Sequence, residues 1–547
     1  MISKKDIILF TQLINLILII IYNRTEYIWY LSIASYIQCI IMIFISDNKK
    51  YTLYSLIILF LTQHSIFMFA RSNLFYSQGS DTLNDYATAQ FIKVNKFFDL
   101  GNATYSSRTA YSFYPFLHLF SVVFNYFSLI PLSIIAFFFI PSLNAIFIPV
   151  LLYHINKNFF KIDDRINYLA IVIFGINWYY TQFQSNYVRE TFAIILGFAV
   201  LWLTNEIINR EKDTLALWIT DLFLFFALML SHHITSYIII GLLFLMFITS
   251  KNIFHNKGFK IFLLIVISAI VLYSVAAPRA FLQTVIDEIL SSLNIAVSEI
   301  STQAITKQVA WKQYFIIAYY GTIGLIALIA YLRILLNKER SIKNIIFYTL
   351  FGALFGAAVI LRLTTSPNVW GWAYFMSLRA TTWAFMGLSV LAALGLDHIL
   401  KFSKKVKASS VIIIIILISL LSVGKLSQFT NYFDDKSIPL SVNDSRFQAS
   451  QWLKNNAVPP NFILIPPSNS SADSYEGARD MAPLAFLKEN FMNSKNYDTF
   501  KGYIPFITSY FNIYRNTQAL IDSNETLIQQ IYSNGRTEIG YRQTNPH

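Results

Sequence analysis

The sequence predicts an all-α polytopic membrane protein with about 13 transmembrane helices and a small extracytoplasmic α/β domain at the C-terminal end. Of its 547 residues, 55% are hydrophobic and 13% are charged, whereas soluble domains carry about 25% charged residues. Uncharged stretches of the length that crosses a bilayer recur as far as residue 424. They are too numerous to be a cleaved signal peptide.

The transmembrane domain is predicted to cover residues 1–424, with external loops at 71–131 and 278–312. Its spans are the stretches in which an apolar helix is long enough to cross the hydrocarbon layer. They are residues 6–22, 27–46, 51–69, 132–153, 166–182, 189–205, 214–231, 234–249, 259–277, 313–335, 343–361, 372–398 and 409–424.

Basic residues set the predicted orientation, because short cytoplasmic loops are enriched in Lys and Arg. All of the basic loops lie on the cytoplasmic side only if the apolar segment 113–130 does not cross the bilayer. We therefore predict that this segment, which begins near Tyr114-Pro115 and ends at Pro131, is an amphipathic or re-entrant helix on the outer face. The N-terminus is then cytoplasmic, and the C-terminal domain lies outside the plasma membrane. The basic groups are Lys4 and Lys5, Lys49 and Lys50, Lys157 with Lys161 and Arg165, Arg210 and Lys212, Lys251 with Lys257 and Lys260, Lys338 with Arg340 and Lys343, and Lys401 with Lys404, Lys405 and Lys407.

The tail, residues 425–547, is predicted to be the extracytoplasmic domain. It shows a helical pattern at 447–454 and a strand-like run at 462–465 between two Pro-Pro pairs. Five Asn-X-Ser/Thr triplets lie on the predicted outer side and are candidate glycosylation sites. They begin at Asn23, Asn102, Asn443, Asn469 and Asn524.

The net charge of +13 does not indicate nucleic-acid binding, because the tail holds 11 basic and 11 acidic residues. The excess therefore belongs to the short loops of the membrane domain, and the expected partner is the lipid bilayer rather than a nucleic acid. The single cysteine, Cys39, excludes an internal disulfide and a Cys-based metal cluster.

Ionisable residues at the outer ends of the spans are the first candidates for a site, because such groups are costly near lipid. Asp81 and Asp85 would share one face if their segment is helical. Arg379 lies about two turns into a span that begins outside near Trp372, and such a cation needs an anionic partner. Further candidates at the same depth are Arg189 and Glu190, His232 and His233, and Arg362.

Each candidate also has a structural alternative. Acidic pairs such as Asp81 and Asp85 are common in solvated loops and at helix N-caps. Arg189 with Glu190 is also consistent with a local ion pair, and the His pair with an interfacial position. Their combination is more informative, since a carboxylate suits general-base activation of a hydroxyl and a buried Arg suits a phosphate. We therefore expect a lipid-linked phosphorylated donor, since the chain contains neither GxxxxGK[ST] nor a GxGxxG that follows a strand.

This arrangement resembles the GT-C superfamily of membrane glycosyltransferases. The likeness rests on a long external loop that starts at Gly79 to Asp81, the Tyr114-Pro115 step, and the outer turn Ser185 to Glu190. It implies a polyprenyl- or dolichyl-phosphate sugar as donor and a glycan, lipid or protein as acceptor. By the same resemblance Asp81 is the catalytic base, Glu190 an acceptor or metal contact, and Arg379 a ligand of the donor phosphate.

The roles of the remaining candidates follow from the same interpretation. Asp85 joins Asp81 and Glu190 in the catalytic group, and a divalent cation, Mg or Mn, is the suggested cofactor. The residues predicted to bind the donor phosphate are Arg379, Arg362, His232, His233 and Arg189.

The number of spans and the external tail are also similar to the oligosaccharyltransferase branch of this superfamily. The tail lacks a WWDYG motif, and Ser298-Glu299 matches that branch's acidic loop only faintly. A hexosyl- or pentosyltransferase is therefore favoured over a sequon-specific enzyme. The alternatives are a transporter or flippase of lipid-linked glycans, a glycan polymerase or ligase, and a non-enzymatic surface assembly protein. A transporter would favour repeated halves with broken helices, which we do not find in the sequence.

Overall fold

The computed structural model describes most of the membrane domain and three strands of the tail. The described residues are 3–22, 27–69, 80–96, 114–209, 215–249, 256–276, 311–336, 342–364, 372–402, 414, 416–418, 420–421, 503–509, 528–533 and 537–543. The predicted helix 447–454, the predicted strand 462–465 and all five candidate glycosylation sites lie outside these residues.

The described part of the membrane domain is helical. The helices are α1 (Lys4–Ile21), α2 (Tyr27–Ile45), α3 (Lys49–Phe69), α4 (Ser80–Asn95), α5 (Phe116–Ser128), α6 (Leu132–Asn158, with a π-helical segment Ile135–Phe139), α7 (Asp164–Gly175), α8 (Trp178–Gln184), α9 (Arg189–Asn209), α10 (Leu215–Ser231), α11 (His233–Thr249), α12 (Lys257–Ala276), α13 (Trp311–Leu336), α14 (Ile342–Thr364) and α15 (Trp372–Phe402).

Seven helices in the described ranges are long and apolar enough to cross a membrane. These seven lie within α2, α3, α6, α9, α12, α13 and α15, and shorter apolar helices lie within α5, α10, α11 and α14. The chain is therefore an integral membrane protein, as the sequence predicted. The number of spans, about 13, and the orientation of the two termini remain predictions.

One predicted span is broken. The apolar run 166–182 forms two helices, α7 and α8, because the chain leaves α7 at Ile176 and Asn177 begins a new helix. The Asn177 side chain accepts a hydrogen bond from the Tyr180 backbone N–H at 3.3 Å, as an N-cap residue does. The Tyr36 hydroxyl donates to the Gly175 carbonyl at 3.0 Å, and the Tyr319 hydroxyl donates to the Ile176 carbonyl at 2.6 Å. Two tyrosines thus satisfy carbonyls that the break releases.

The helix predicted between Tyr114 and Pro131 is α5. It has 13 residues, so it is about 20 Å long and shorter than the hydrocarbon layer. Its buried residues Leu117, His118, Ser121, Val122 and Asn125 recur at helical spacing, which is the pattern of an amphipathic helix. The position of α5 on the outer face remains a prediction.

The chain divides into two compact units, which we describe separately. The first contains Met1–Phe67, Pro141–Ser185 and Glu190–Phe433, and the second contains Met68–Ile140, Asn186–Arg189 and Asp434–His547. In the first unit α15 is central, since it packs against α7, α8, α13 and α14. In the second unit α4 packs against α5 around Ala89, Ile92, Val122 and Leu132.

The described strands of the tail form an antiparallel sheet. Strands β1 (Tyr503–Ser509), β2 (Ile528–Ser533) and β3 (Thr537–Gln543) are arranged in the order β1-β3-β2. Tyr503 pairs with Gln543, and the pairing of β2 with β3 shifts register between Gln530 and Tyr532. Whether an α/β domain surrounds this sheet remains a prediction.

Candidate functional site

The helix α4 brings the two predicted acidic residues into one segment. Asp81 lies in its first turn and Asp85 lies four residues later, so the helical condition for a shared face is met. The Asp81 side chain lies outside the described part of the structure, and its predicted role as catalytic base remains a prediction. Asp85 is buried, with 4% of its side chain exposed.

The Asp85 carboxylate accepts two hydrogen bonds and forms one ion pair. Its Oδ1 atom lies 2.9 Å from His118 Nε2 and 3.0 Å from Arg189 Nε, and its Oδ2 atom accepts the Arg189 backbone N–H at 3.2 Å. The His118 and Arg189 side chains are 1% and 8% exposed. This cluster belongs to the second unit, and it contains a buried charge pair with additional hydrogen bonds, the condition under which such a pair is tolerated.

The environment of Asp85 keeps it ionised. Burial by itself raises the pKa of a carboxyl, but the Arg189 charge and the His118 hydrogen bond outweigh burial and hold the pKa of Asp85 below its usual range. A carboxylate that is ionised and already has two hydrogen bonds and an ion pair is a weak candidate for taking a proton from an acceptor. The geometry therefore favours a positioning role for Asp85 over the catalytic role predicted from the sequence, which remains a prediction.

His118 was not among the predicted site residues. The segment 113–130 is largely apolar, and this character predicts an interfacial helix without pointing to a site residue on it. A helical pattern of small or polar residues on α5 was the available signal, since His118 shares its buried face with Ser121 and Asn125. The Tyr187 hydroxyl also donates to Ser121 Oγ at 2.9 Å, and burial raises the pKa of Tyr187, so its hydroxyl stays protonated.

A second ion pair lies in the first unit. Glu190 is in the first turn of α9, and its Oε2 atom is 2.8 Å from Arg379 Nε on α15. A carboxylate in the first turn is also favoured by the helix dipole. The Glu190 side chain is 4% exposed, whereas 19% of Arg379 is exposed. Arg379 also lies 5.9 Å from the centre of the Phe183 ring, a cation–π distance.

Neighbouring polar residues hold the start of α9 in place. Asn144 on α6 donates through Nδ2 to the Thr191 carbonyl at 3.0 Å, and its Oδ1 accepts the Tyr180 hydroxyl at 2.6 Å. These contacts connect α6, α8 and the first turn of α9 within the first unit. Glu190 is thereby held on a fixed backbone, and its carboxylate can orient the Arg379 guanidinium.

The remaining predicted phosphate ligands are less informative. His232 directly precedes α11, and its Nδ1 lies 2.8 Å from Thr235 Oγ1 and accepts the Thr235 backbone N–H at 3.4 Å. The His232 and His233 rings are 5.3 Å apart. Arg362 lies near the end of α14, and its side chain is outside the described residues. Phosphate binding by these three residues remains a prediction.

The predicted divalent cation has no site among the described residues, since no group of three or more His, Cys, Asp or Glu side chains there could hold one. The two described carboxylates discussed above are each paired with an arginine. Those two side chains therefore do not fit a metal site in this arrangement.

Comparison with known proteins identifies the fold. No family model and no curated protein matches the sequence. Among solved structures, one match is the oligosaccharyltransferase AglB from Archaeoglobus fulgidus in complex with an inhibitory peptide and a dolichol-phosphate. Its sequence is 13% identical to this chain, and the TM-score is 0.51. The alignment covers 91% of this chain and 75% of the AglB chain. The apo form of that enzyme is 12% identical at a TM-score of 0.50, with the same coverage.

ArnT from Cupriavidus metallidurans, in a structure bound to undecaprenyl phosphate, is 10% identical to this chain, and the TM-score is 0.38. The alignment covers 90% of this chain and 99% of the ArnT chain. At such identities the likeness to AglB concerns the fold. The chain shares the fold of AglB.

Proposed function

We propose that this chain is a GT-C membrane glycosyltransferase that moves a sugar from a polyprenyl- or dolichyl-phosphate donor to an acceptor at the outer face of the membrane. The observation that carries the proposal is the Glu190–Arg379 pair, in which a buried carboxylate holds a partly exposed guanidinium. The sugar is a hexose or pentose, and the acceptor is a hydroxyl of a glycan, lipid or protein.

Arg379 is the proposed ligand of the donor phosphate. A guanidinium carries five N–H donors in a planar fork that matches phosphate oxygens, and the contact with Glu190 is made through Nε. Arg362, His232 and His233 are the proposed additional ligands. Arg189 is 8% exposed and paired with Asp85, so we assign it to holding the start of α9 instead of binding phosphate.

Asp81 is the proposed catalytic base. Its carboxylate takes the proton of the acceptor hydroxyl, and the oxygen attacks the anomeric carbon of the sugar. The bond between that carbon and the donor phosphate oxygen breaks, and the electron pair leaves with the lipid phosphate, whose charge Arg379 offsets. A single displacement of this kind inverts the anomeric centre. No step is assigned to a metal, and the dependence on Mg or Mn is measured by assay with and without a chelator.

The first test is transfer by the purified protein in liposomes supplied with polyprenyl-phosphate sugars and a panel of acceptors. Asp81→Asn is expected to lower the rate of sugar transfer by about 1,000-fold or more, because general-base catalysis contributes roughly 100- to 10,000-fold to the rate. Expression and thermal stability are expected to match the wild type. Full activity of a well-folded Asp81→Asn protein would end the assignment.

Arg379→Lys separates donor binding from folding. We expect about a tenfold rise in the KM for the donor, because a point charge replaces a planar fork, while the acceptor KM is unchanged. Arg333→Lys is the matched control, since Arg333 on α13 contacts His398 in the same kind of membrane helix. An equal change in both variants, or no change in the donor KM of Arg379→Lys, would contradict the role of Arg379.

The break between α7 and α8 is a feature that transporters also have, so it bears on the alternative function of transport. Transporters use broken helices whose free backbone groups line a substrate site. Here the Gly175 and Ile176 carbonyls accept hydrogen bonds from Tyr36 and Tyr319, which gives the break a structural explanation. Movement of a lipid-linked glycan across liposomes without any transfer product would favour the transporter instead.

A further inference from the structure

His118 is a buried titratable residue that the proposed reaction does not use. It lies on α5, and its Nε2 atom is 2.9 Å from Asp85 Oδ1 on α4. The side chain is 1% exposed, so it does not meet substrate. A histidine buried to this extent on an otherwise apolar helix needs a structural or functional partner, and Asp85 is that partner.

The hydrogen bonding of His118 defines its tautomer. Asp85 is a carboxylate, which only accepts hydrogen bonds, so His118 Nε2 carries the proton and donates it. The other ring nitrogen, Nδ1, is buried and has no hydrogen-bond partner among the described residues.

The donor from His118 fixes the direction in which the Asp85 carboxylate points. The carboxylate also forms an ion pair with Arg189 through Oδ1 and accepts the Arg189 backbone N–H at Oδ2. Arg189 is the first residue of α9, and the first backbone N–H groups of a helix have no partner within the helix. Asp85 thus acts as an N-terminal cap for α9, although it lies on another helix.

We propose that His118 is a positioning residue of the transfer reaction. By holding Asp85 it fixes Arg189, the first residue of α9, which directly precedes Glu190 in the sequence. The proposal rests on the function proposed above. It assigns to α5 the role of setting the start of α9 through the chain His118, Asp85 and Arg189.

Two substitutions at position 118 separate the hydrogen bond from the packing of the ring. His118→Phe keeps a ring and removes the N–H donor, whereas His118→Gln places an amide N–H near the position of Nε2. Tyr126→Phe is the matched control, because the Tyr126 hydroxyl donates to the Lys93 carbonyl at 3.0 Å and also connects α5 to α4. This control removes a hydrogen bond between the same two helices without touching Asp85.

Two readouts are measured on the full-length protein. Hydrogen exchange of the peptide that contains the Arg189 amide reports the cap directly and does not depend on activity. Steady-state kinetics report the donor KM and kcat. His118→Phe is expected to speed exchange at Arg189 and to raise the donor KM, each by about tenfold, since hydrogen bonds to charged groups contribute at that level. His118→Gln restores both values to within about threefold, and Tyr126→Phe leaves both near wild type.

The outcomes are distinguishable. A wild-type rate of hydrogen exchange at Arg189 in the His118→Phe variant would overturn the proposal. Equal changes in exchange rate and donor KM in the His118→Phe and His118→Gln variants would also overturn it, because the N–H donor of residue 118 would then have no effect. An altered donor KM with unaltered acceptor KM, rescued by Gln, supports it. If the wild-type protein transfers no sugar, the proposed function fails, and faster exchange at Arg189 in His118→Phe would still support the His118–Asp85–Arg189 cap.

Discussion

At the scale of single residues, the charged groups of the candidate site are paired between helices, Asp85 on α4 with Arg189 on α9 and Glu190 on α9 with Arg379 on α15. Asp85, Arg189, Glu190 and Arg379 were selected because ionisable groups are costly near lipid. Their pairing depends on long-range contacts: His118 is 33 positions from Asp85, and Arg189 is 104 positions from it. No local pattern encodes such a contact, so the interpretation of Arg189 with Glu190 as a local ion pair missed that each has a partner on another helix.

The Glu190–Arg379 pair gives a residue-scale prediction. Removing one member takes the 2.8 Å ion-pair contact away from the other, partly buried charge, so Glu190→Gln and Arg379→Met are each expected to lower the thermal midpoint of the purified protein. In the double variant neither charge remains. Its loss of unfolding free energy is expected to be smaller than the sum of the losses in the two single variants, with a coupling energy of about 2 kcal/mol. Additive losses would show that the contact contributes no net stability.

At the scale of helices, hydropathy predicted the position of most described elements and failed at one break. The segment 166–182 is apolar throughout, so a hydropathy average gives a single span, whereas Asn177 starts a separate helix. The decisive contacts come from Tyr36 on α2 and Tyr319 on α13, which are distant in the sequence. The end of α5 near Pro131 was predictable because proline stops a helix at the preceding residues.

Asp164 connects three helix ends and gives a prediction for pH dependence. Lys49 at the start of α3 lies 2.8 Å from Asp164 Oδ2, Lys157 near the end of α6 also contacts this carboxylate, and the Tyr153 hydroxyl donates to it at 3.0 Å. Burial opposes ionisation, but the hydrogen bonds from Lys157 and Lys49 outweigh it and lower the pKa of Asp164 to about 2. The carboxylate therefore stabilises the fold only while it is ionised.

Because the folded-state pKa of Asp164 is below the unfolded value, its contribution is complete above about pH 4 and is lost as the pH falls towards 2. We expect Asp164→Asn to lower the thermal midpoint by the same amount at pH 7 and pH 5, and by a smaller amount at pH 3. Melting curves of both proteins in one detergent at the three pH values measure this. A difference that grows as the pH falls would contradict the assignment.

At the scale of the whole molecule, the apolar helices agree with the integral membrane protein that the sequence predicted, while the orientation in the membrane depends on one inference. If the segment 113–130 lies along the outer surface, the basic loops are all cytoplasmic and the carboxylates and arginines of the candidate site face outwards. Chain length and hydropathy could not decide this, because they do not distinguish a short helix on the surface from a crossing one.

Single-cysteine labelling tests this orientation. Cys39 is buried, so the native chain is expected to react little with a membrane-impermeant thiol reagent and serves as the background. Phe127 on α5 is 87% exposed, and Lys50 at the start of α3 is exposed in a predicted cytoplasmic loop. In intact cells we expect Phe127→Cys to be labelled from outside and Lys50→Cys to be labelled only after the membrane is opened. Labelling of both from the same side would place α5 across the bilayer and would put the proposed base on α4 on the opposite face of the membrane from Glu190 and Arg379.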